Sequence, residues 1–254
     1  DRARTAALLG FGAIAENAMD AVAARDHVQE VAATCAIVMG HLSRMAEELV
    51  LWSSAEFAFV RMGEDYATGS SIMPQKRNPD AAELVRGKVG RVFADVQTLL
   101  VLTKALPLAY NRDLQEDRAA LFDALDTTEA SVAITAGMWR TLTVAHDRFE
   151  AALAGDFSLA TEIADLLAAR GVPFREAHEI VGGIVRDCEA AGRGLEPAHV
   201  ATFHPALAAE DLGPWLDPHA AAARRTSRGG TAWPEIERQC ALLRATLPAA
   251  DAAG

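Results

Sequence analysis

The sequence has few of the features that identify a secreted, metal-binding or membrane protein. Its three cysteines, Cys35, Cys188 and Cys240, are far apart and odd in number, which argues against a disulfide framework or a zinc site. We therefore expect each to be a small core residue in a reducing cytoplasm. No apolar run of about 18 residues and no signal-peptide pattern occurs, so neither a membrane span nor secretion is predicted.

Clustered positive charge is also absent. The chain has 24 Lys and Arg against 35 Asp and Glu, a net charge of −11, and no basic block. Because phosphate binding needs clustered Lys and Arg, a nucleic-acid partner is disfavoured. A hydrophobic fraction of 51% over 254 residues fits a globular protein of one large domain or two ordinary ones. Any anionic substrate would need a local group of positive side chains.

Three segments carry apolar residues at alternating spacings of three and four, whereas strand-like alternation does not rise above noise. The three stripes are Val28, Val31, Cys35, Val38, Leu42, Met45, Leu49 and Trp52; Val85, Val89, Val92, Val96, Leu99, Thr103 and Leu106; and Leu121, Leu125, Thr128, Val132, Trp139 and Leu142. Each extends over about three heptads, which predicts packed, nearly parallel helices about 35–40 Å long. The predicted fold class is all-α.

The stripe of the second helix is wider than a two-stranded seam, because Leu84, Phe93 and Leu100 flank it. This width favours a bundle shared between subunits over a monomeric bundle. After about residue 148 the helical segments become shorter, and loops rich in Pro, Gly and His separate them; these segments are Ala160–Arg170, Pro173–Ala191 and Trp233–Leu247. We predict a long-helix bundle domain over 1–148 and a smaller helical domain over 149–254.

The stretch 69–80, GSSIMPQKRNPD, places hydroxyls, a lysine and an amide directly before the second long helix. A lysine beside hydroxyls can hold a carboxylate whose charge grows as a proton leaves the adjacent carbon. A serine could accept that proton if the positive field strongly depressed its pKa. The alternative is an ordinary helix start, with Pro79 in the first turn and Asn78 as the cap. The spacing matches neither a P-loop nor a GxSxG elbow.

Residues 69–79 resemble the signature loop of the fumarase/argininosuccinate lyase superfamily, and QKRNPD over 75–80 is similar to the argininosuccinate lyase form. Further segments resemble the same family at 17–26, 106–117, 160–165, 171–179 and 227–232. The resemblance implies a helical homotetramer with active sites built from different subunits. It implies reversible elimination of argininosuccinate to arginine and fumarate in arginine biosynthesis, without a metal or organic cofactor.

The resemblance also implies roles for individual residues. Ser70 would remove the proton from the succinyl carbon, Lys76 would stabilise the aci-carboxylate, and Glu83 would orient and charge the family's catalytic histidine. Arg118 stands where the family usually has lysine, which changes the hydrogen-bond geometry. The implied substrate-binding positions are Asn78, Tyr110, Gln115 and Arg118. On the residues alone, spacing favours an exposed helix residue at Glu83, and Tyr110 and Gln115 are ordinary turn residues. The resemblance also extends to Arg25, which an ion pair at a helix start explains equally well.

The family's acid-side histidine lies in a Thr-His segment upstream of the matched region, and none of the seven histidines here lies in such a segment. We expect His41 and His178 to be structural and those between 199 and 219 to be solvated. The chain is therefore expected to be the central and C-terminal part of the enzyme, able to associate but releasing little fumarate alone. Two alternatives stay open: a lyase acting on another N-substituted aspartate, and a catalytically silent oligomerisation piece.

Overall fold

The computed structural model describes residues 1–69, 72–73, 77–153 and 156–247. Its helices are α1 (Arg2–Leu9), α2 (Ala18–Ala23), α3 (Asp26–Trp52), α4 (Asp80–Thr103), α5 (Asp117–Thr141), α6 (His146–Leu153), α7 (Ala160–Ala169), α8 (Phe174–Ala191), α9 (Pro197–Val200), α10 (Pro205–Ala208), α11 (Pro218–Arg224) and α12 (Trp233–Thr246). The strands are two residues each, β1 (Val60–Arg61), β2 (Thr68–Gly69), β3 (Arg77–Asn78) and β4 (Thr143–Val144). The all-α prediction is confirmed. The chain divides into two compact units, Asp1–Arg148 and Phe149–Gly254.

The first unit is built on α3, α4 and α5, which pack against one another. Val28 of α3, Leu99 of α4 and Ala120 of α5 share one core cluster. A larger cluster joins Leu49, the start of α4 and Met138. The start of α3 therefore lies beside the end of α4 and the start of α5, so α4 runs antiparallel to both neighbours. With 24 residues, α4 is about 36 Å long.

The predicted stripes of α3 and α4 are largely confirmed. The residues they bury as predicted are Val28, Cys35, Leu42, Leu49, Val85, Val89, Val92 and Leu99. The second row of α3 differs, because Val31 and Met45 are exposed, and Ala32, Met39 and Ala46 are buried beside the first row instead. The buried stripe of α3 is therefore rotated by one position on that side, and it contains two alanines where the helices approach.

The predicted stripe of α5 is wrong. Leu125, Val132 and Trp139 are exposed in the described chain. The buried face instead carries small and hydroxyl-bearing residues, including Ala120, Ala124, Thr127, Ser131 and Thr135. The Ser131 hydroxyl donates to the Thr127 carbonyl at 2.7 Å. Small side chains let α5 approach its neighbours closely, and the larger apolar side chains are left on the outer surface.

The start of α4 also differs from the prediction. Pro79 occupies the position before the first helical residue, and no side chain caps the helix. Asn78 lies in β3, where it pairs with Thr68 of β2. Its backbone is therefore committed to a strand ladder, which positions the residues beside the signature loop.

The second unit is centred on α7 and α8, whose bounds agree closely with the prediction. Gly192 ends α8 with φ of 63°, a left-handed conformation that glycine adopts without strain. Glu162 of α7 is buried and accepts from Nε of Arg224 at 2.9 Å and from Arg225. Arg224 also lies 4.5 Å above the ring of Trp215. A buried carboxylate thus has two guanidinium partners, as burial of a charge requires.

The expectation that the late histidines are solvated is wrong for two of them. Nε2 of His199 lies 2.8 Å from Oδ2 of Asp187, and its side chain is 16% exposed. Nδ1 of His204 accepts from the Ala206 backbone N–H at 3.1 Å and caps α10. A hydrogen bond thus fixes the His204 imidazole, whereas the His199 imidazole lies beside a carboxylate oxygen without an aligned hydrogen bond among the described residues. The exposed histidines include His41, His178 and His219.

Asp95 of α4 and Asp123 of α5 form a pair of neighbouring carboxyl groups. Arg91 Nε donates to Oδ2 of Asp123 at 2.5 Å, whereas Oδ2 of Asp95 is buried without a hydrogen-bond partner among the described residues. Burial and the charge of Asp123 raise the pKa of Asp95 to about 6. The unfolded pKa is about 3.9, so the folded state binds this proton more tightly and loses stability as the pH rises from about 4 to about 6.

We predict that Asp95→Asn increases the free energy of unfolding at pH 7.5, because the amide removes a buried negative charge that Asp123 repels. The expected gain is about 1 kcal/mol, since solvent screens part of that electrostatic penalty. The gain should fall to about a third of that value at pH 4.5, where the folded state already holds the proton of Asp95 while the unfolded chain has mostly lost it. Urea unfolding at both pH values measures this. Asp126→Asn, at an exposed position of α5, is the matched control and should show neither change. An equal gain at both pH values would contradict the assignment.

Another ion pair joins the starts of α3 and α5. Nε of Arg25 donates to Oδ2 of Asp117 at 2.5 Å, with side-chain exposures of 19% and 13%. We predict that Asp117→Asn lowers the free energy of unfolding by about 2 kcal/mol, because the half-buried guanidinium loses its charged partner. Asp113→Asn, at an exposed neighbouring position, should change it by about 0.5 kcal/mol or less in the same urea titration. Equal losses for the two variants would refute a special role for the ion pair.

Candidate active site

The predicted site residues that the structure describes form two groups. The loop group comprises Asn78 and Glu83, at the start of α4. The turn group comprises Tyr110, Gln115 and Arg118, between α4 and α5. Ser70 and Lys76 lie outside the described residues, between Gly69 and Arg77 in the sequence.

The loop group is held by a short antiparallel ladder. Thr68 pairs with Asn78, and Gly69 pairs with Arg77. Asn78 is half-buried, whereas Glu83 is exposed on the first turn of α4 and its backbone N–H donates to the Pro79 carbonyl at 3.0 Å. The two ends of the signature segment are therefore brought together directly before the helix, and the carboxylate of Glu83 is available to a partner.

The segment before the ladder is attached to the end of α5. Val60 of β1 pairs with Val144 of β4, just after that helix ends. The backbone N–H of Ala145 donates to the Phe59 carbonyl at 2.9 Å. Tyr66 packs against the core cluster that includes Met138 of α5. The sequence pattern does not identify Tyr66, because the α5 residues that it packs against lie far from it along the chain.

The turn group lies on a constrained connection. Ala109 has φ of 69°, a left-handed backbone that is uncommon for a residue with a side chain. The Asn111 amide donates to the Pro107 carbonyl at 3.1 Å, and the buried Leu114 anchors the short helical turn that follows. Tyr110 is 53% exposed. The turn thus presents an exposed phenol on a braced backbone.

Gln115 and Arg118 are also exposed, on the turn between Arg112 and Glu116 and in the first turn of α5. The Arg25–Asp117 ion pair described above lies between them in sequence and ties this connection to the start of α3. The turn group therefore offers one phenol, one amide and one guanidinium to the surface, a set suited to polar or anionic ligands.

The two groups lie at opposite ends of the bundle. From Glu83 to the end of α4 at Thr103 the helix rises about 30 Å, and the turn group follows that end. One small substrate cannot contact both groups of a single chain. Within a single chain the loop group and the turn group therefore stay apart.

A cavity of about 320 Å³ lies beside the loop group. Apolar side chains form most of its wall, and its polar lining includes Tyr66, Asp80, Lys88 and Ser131.

Across the described ranges, no three or more His, Cys, Asp or Glu side chains converge where a metal ion could bind. Nor does any helix in those ranges have the length and apolarity needed to cross a membrane.

Two protein families match parts of the chain. A family described as "Lyase" matches residues 2–94, and one described as "Argininosuccinate lyase C-terminal" matches residues 157–223. The argininosuccinate lyases of Bacillus anthracis and of Anoxybacillus flavithermus are each 52% identical to this chain over 240 residues. Those alignments cover 94% of this chain and 52% of each relative, so the chain spans about half the length of these relatives.

A solved structure of EDDS lyase in complex with formate superposes with a TM-score of 0.82 at 31% identity. The superposition covers 96% of this chain and 51% of that one. The sequence matches include the signature loop at 69–80 and the family-like segment at 106–117, and the solved structure shares the helical architecture. The chain belongs to the fumarase/argininosuccinate lyase superfamily, in which it is similar to argininosuccinate lyases over 94% of its length.

Proposed function

We propose that this chain is part of an argininosuccinate lyase, which cleaves argininosuccinate reversibly to arginine and fumarate. The observation that carries the proposal is 52% identity to argininosuccinate lyases over 240 residues, a span that includes the signature loop. The exposed polar groups at both ends of α4 provide donors and acceptors for a substrate with several carboxylates. We propose the same function for the whole protein that contains the chain.

In the proposed reaction, Ser70 accepts a proton from the succinyl carbon next to a carboxylate. Lys76 stabilises the resulting aci-carboxylate electrostatically, and Asn78 holds a substrate carboxylate. The electron pair then forms the carbon–carbon double bond of fumarate as the carbon–nitrogen bond breaks. The departing guanidino nitrogen of arginine takes up a proton. Glu83 serves to orient and charge the histidine that completes the acid–base machinery.

We propose that each active site combines the loop group of one subunit with the turn group of another, in a homotetramer. The separation of about 30 Å along α4 supports this, because only a second chain can bring the groups together. The long helices also expose large apolar side chains that a partner helix would cover, among them Ile37, Leu84, Phe93, Leu100 and Phe122. Such a surface is typical of an obligate interface.

We further propose that the 1–148 domain supplies both groups and that the 149–254 domain is a smaller helical addition. A cytoplasmic location is supported by the cysteines, which are free thiols. Cys35 and Cys188 are buried as expected, whereas Cys240 is exposed, so its expected core position is wrong. Free thiols are typical of a reducing compartment.

Arg118 favours one second candidate, a lyase acting on another N-substituted aspartate. A guanidinium replaces the usual lysine of the family at this substrate-binding position, and the two groups bind carboxylates with different geometry. The similarity to EDDS lyase shows that this helical architecture also occurs in a lyase with another name.

We predict that the whole natural protein releases arginine and fumarate from argininosuccinate, and that Ser70→Ala lowers kcat by about 10²–10⁴-fold because the base is lost. Absorbance of fumarate and chromatography of arginine measure the two products. Thr98→Ala, which removes an exposed hydroxyl of α4, should leave kcat unchanged. Release of fumarate from a different succinyl-amine, with none from argininosuccinate, would favour the second candidate.

Mixing of inactive variants tests the shared active site. We predict that Ser70→Ala and Gln115→Ala proteins, dissociated and reassembled together, recover activity that neither has alone. Mixed tetramers would contain sites that combine an intact signature loop, with Ser70, from one subunit with an intact turn group from the other. The measurement is fumarate release before and after mixing.

The matched control mixes Ser70→Ala with Glu83→Gln. Ser70 belongs to the signature loop and Glu83 to the helix turn that follows it in the same chain, so in the proposed site one subunit supplies both. Every mixed site should still carry one defect, and no activity should return. Equal recovery in both mixtures, or recovery in neither, would contradict a site divided between subunits.

A further inference from the structure

Tyr66 lies at a point where its side chain can control the start of the signature segment. It precedes Thr68, which pairs with Asn78, by two residues. Its ring packs at the edge of the first unit's core, and it lines the cavity beside the loop group. A shift of this ring would therefore be passed directly to the ladder that brackets residues 70–76.

The Tyr66 ring lies directly against the backbone of Gly137 in α5. A Cβ atom built on Gly137 would lie 1.9 Å from the Tyr66 hydroxyl oxygen and 2.4 Å from ring atom Cζ. These distances are far inside van der Waals contact, so any larger residue at 137 would force the ring to move. Alanine is a better helix former than glycine, and Gly137 is the only glycine in α5. Close approach of the tyrosine, rather than helix formation, accounts for the glycine.

A second contact lies one helical turn further along α5. A Cβ atom built on Gly63 would lie 2.4 Å from Oγ1 and 2.7 Å from Cβ of Thr141. The Thr141 hydroxyl donates to the Gly137 carbonyl at 3.0 Å, which fixes its rotamer. One turn of α5 thus receives both Gly63 and Tyr66, and the β1–β4 pairing continues the attachment beyond the helix.

We propose that Tyr66, lodged against Gly137, is a positioning residue for the segment that carries Ser70. The proposal rests on the proposed function, because it assigns Ser70 as the base. The contact sets the path of the chain through Thr68 and Gly69, the residues that lead into Ser70. A displacement of about 1 Å in a reacting group can cost about a hundredfold in rate.

The first test is Gly137→Ala in the whole natural protein. We expect kcat for fumarate formation to fall about ten- to hundredfold, because the displaced ring moves the residues before Ser70. The KM should rise by less than kcat falls, because Asn78 moves with the ladder and weakens one carboxylate contact, whereas the turn group at the other end of α4 keeps its contacts. Gly40→Ala in α3 is the matched control, because a Cβ at that position meets no atom within 4 Å. A normal kcat in Gly137→Ala would overturn the proposal.

A double-variant cycle separates positioning from general damage. Tyr66→Leu removes the outer ring atoms and the hydroxyl that an alanine at 137 would strike. This change alone should lower kcat, because the ladder loses its support. In the Tyr66→Leu background, however, Gly137→Ala should lower kcat by less than about twofold. Full additivity of the two losses would show that Gly137 acts through something other than Tyr66 and would overturn the proposal.

Hydrogen exchange gives a readout that does not depend on catalysis. In Gly137→Ala, the backbone amides of residues 60–69 should exchange faster, whereas those of the turn group should not change. If the native protein does not cleave argininosuccinate, the proposed function fails while this readout still tests the contact. Unchanged exchange in 60–69, or a general loss of protection that Tyr66→Leu does not relieve, would overturn the positioning role.

Discussion

The length and rigidity of α4 are the constraint on which the rest of the structure depends. Val85, Val92 and Leu99 are buried along the helix and hold it between α3 and α5, so it has no freedom to bend its ends together. The loop group begins at its first turn, and the turn group follows its last. A helix that separates chemical groups by about 30 Å serves one small substrate only if another chain supplies the complementary end. The proposed function and the proposed assembly are therefore one physical argument.

The size of the buried residues explains which helix faces could be predicted from the sequence. In α4, and in one row of α3, the buried positions are mostly large apolar residues, so periodicity located those faces. The second row of α3 was missed because Ala32 and Ala46 occupy it. In α5 the large residues Leu125, Val132 and Trp139 lie outside, and Ala124 and Ser131 lie inside. A periodicity of large apolar residues therefore identifies the exposed face of α5, because the small residues on its buried face contribute little to a hydrophobic pattern. The existence of the helix was predictable, whereas its orientation depended on close packing against two neighbours.

The candidate site divides along similar lines. The motif at 69–80 and the turn at 110–118 could be identified locally, because each is a short run of unusual residue types. Asn78 was expected to cap α4, but pairing with Thr68 satisfies its backbone in a ladder. The fit of Tyr66 against Gly137 joins residues of different elements, so no local pattern reveals it. A lone glycine inside a helix was the one available signal, and its meaning depended on the fold.

The net charge of the chain bears on both the proposed chemistry and the proposed assembly. The chain carries a net charge of −11, so a dianionic intermediate would be repelled by the protein as a whole unless cations lie close to it. The proposed cations, Lys76 and Arg118, belong to opposite ends of α4 in sequence. In the proposed tetramer they meet only where two chains meet, so assembly creates the local positive field as well as the geometry. In an isolated chain Arg118 is exposed on a protein of net negative charge, where water screens its own charge. Association would therefore precede catalysis for an electrostatic reason, in addition to the need to cover apolar helices.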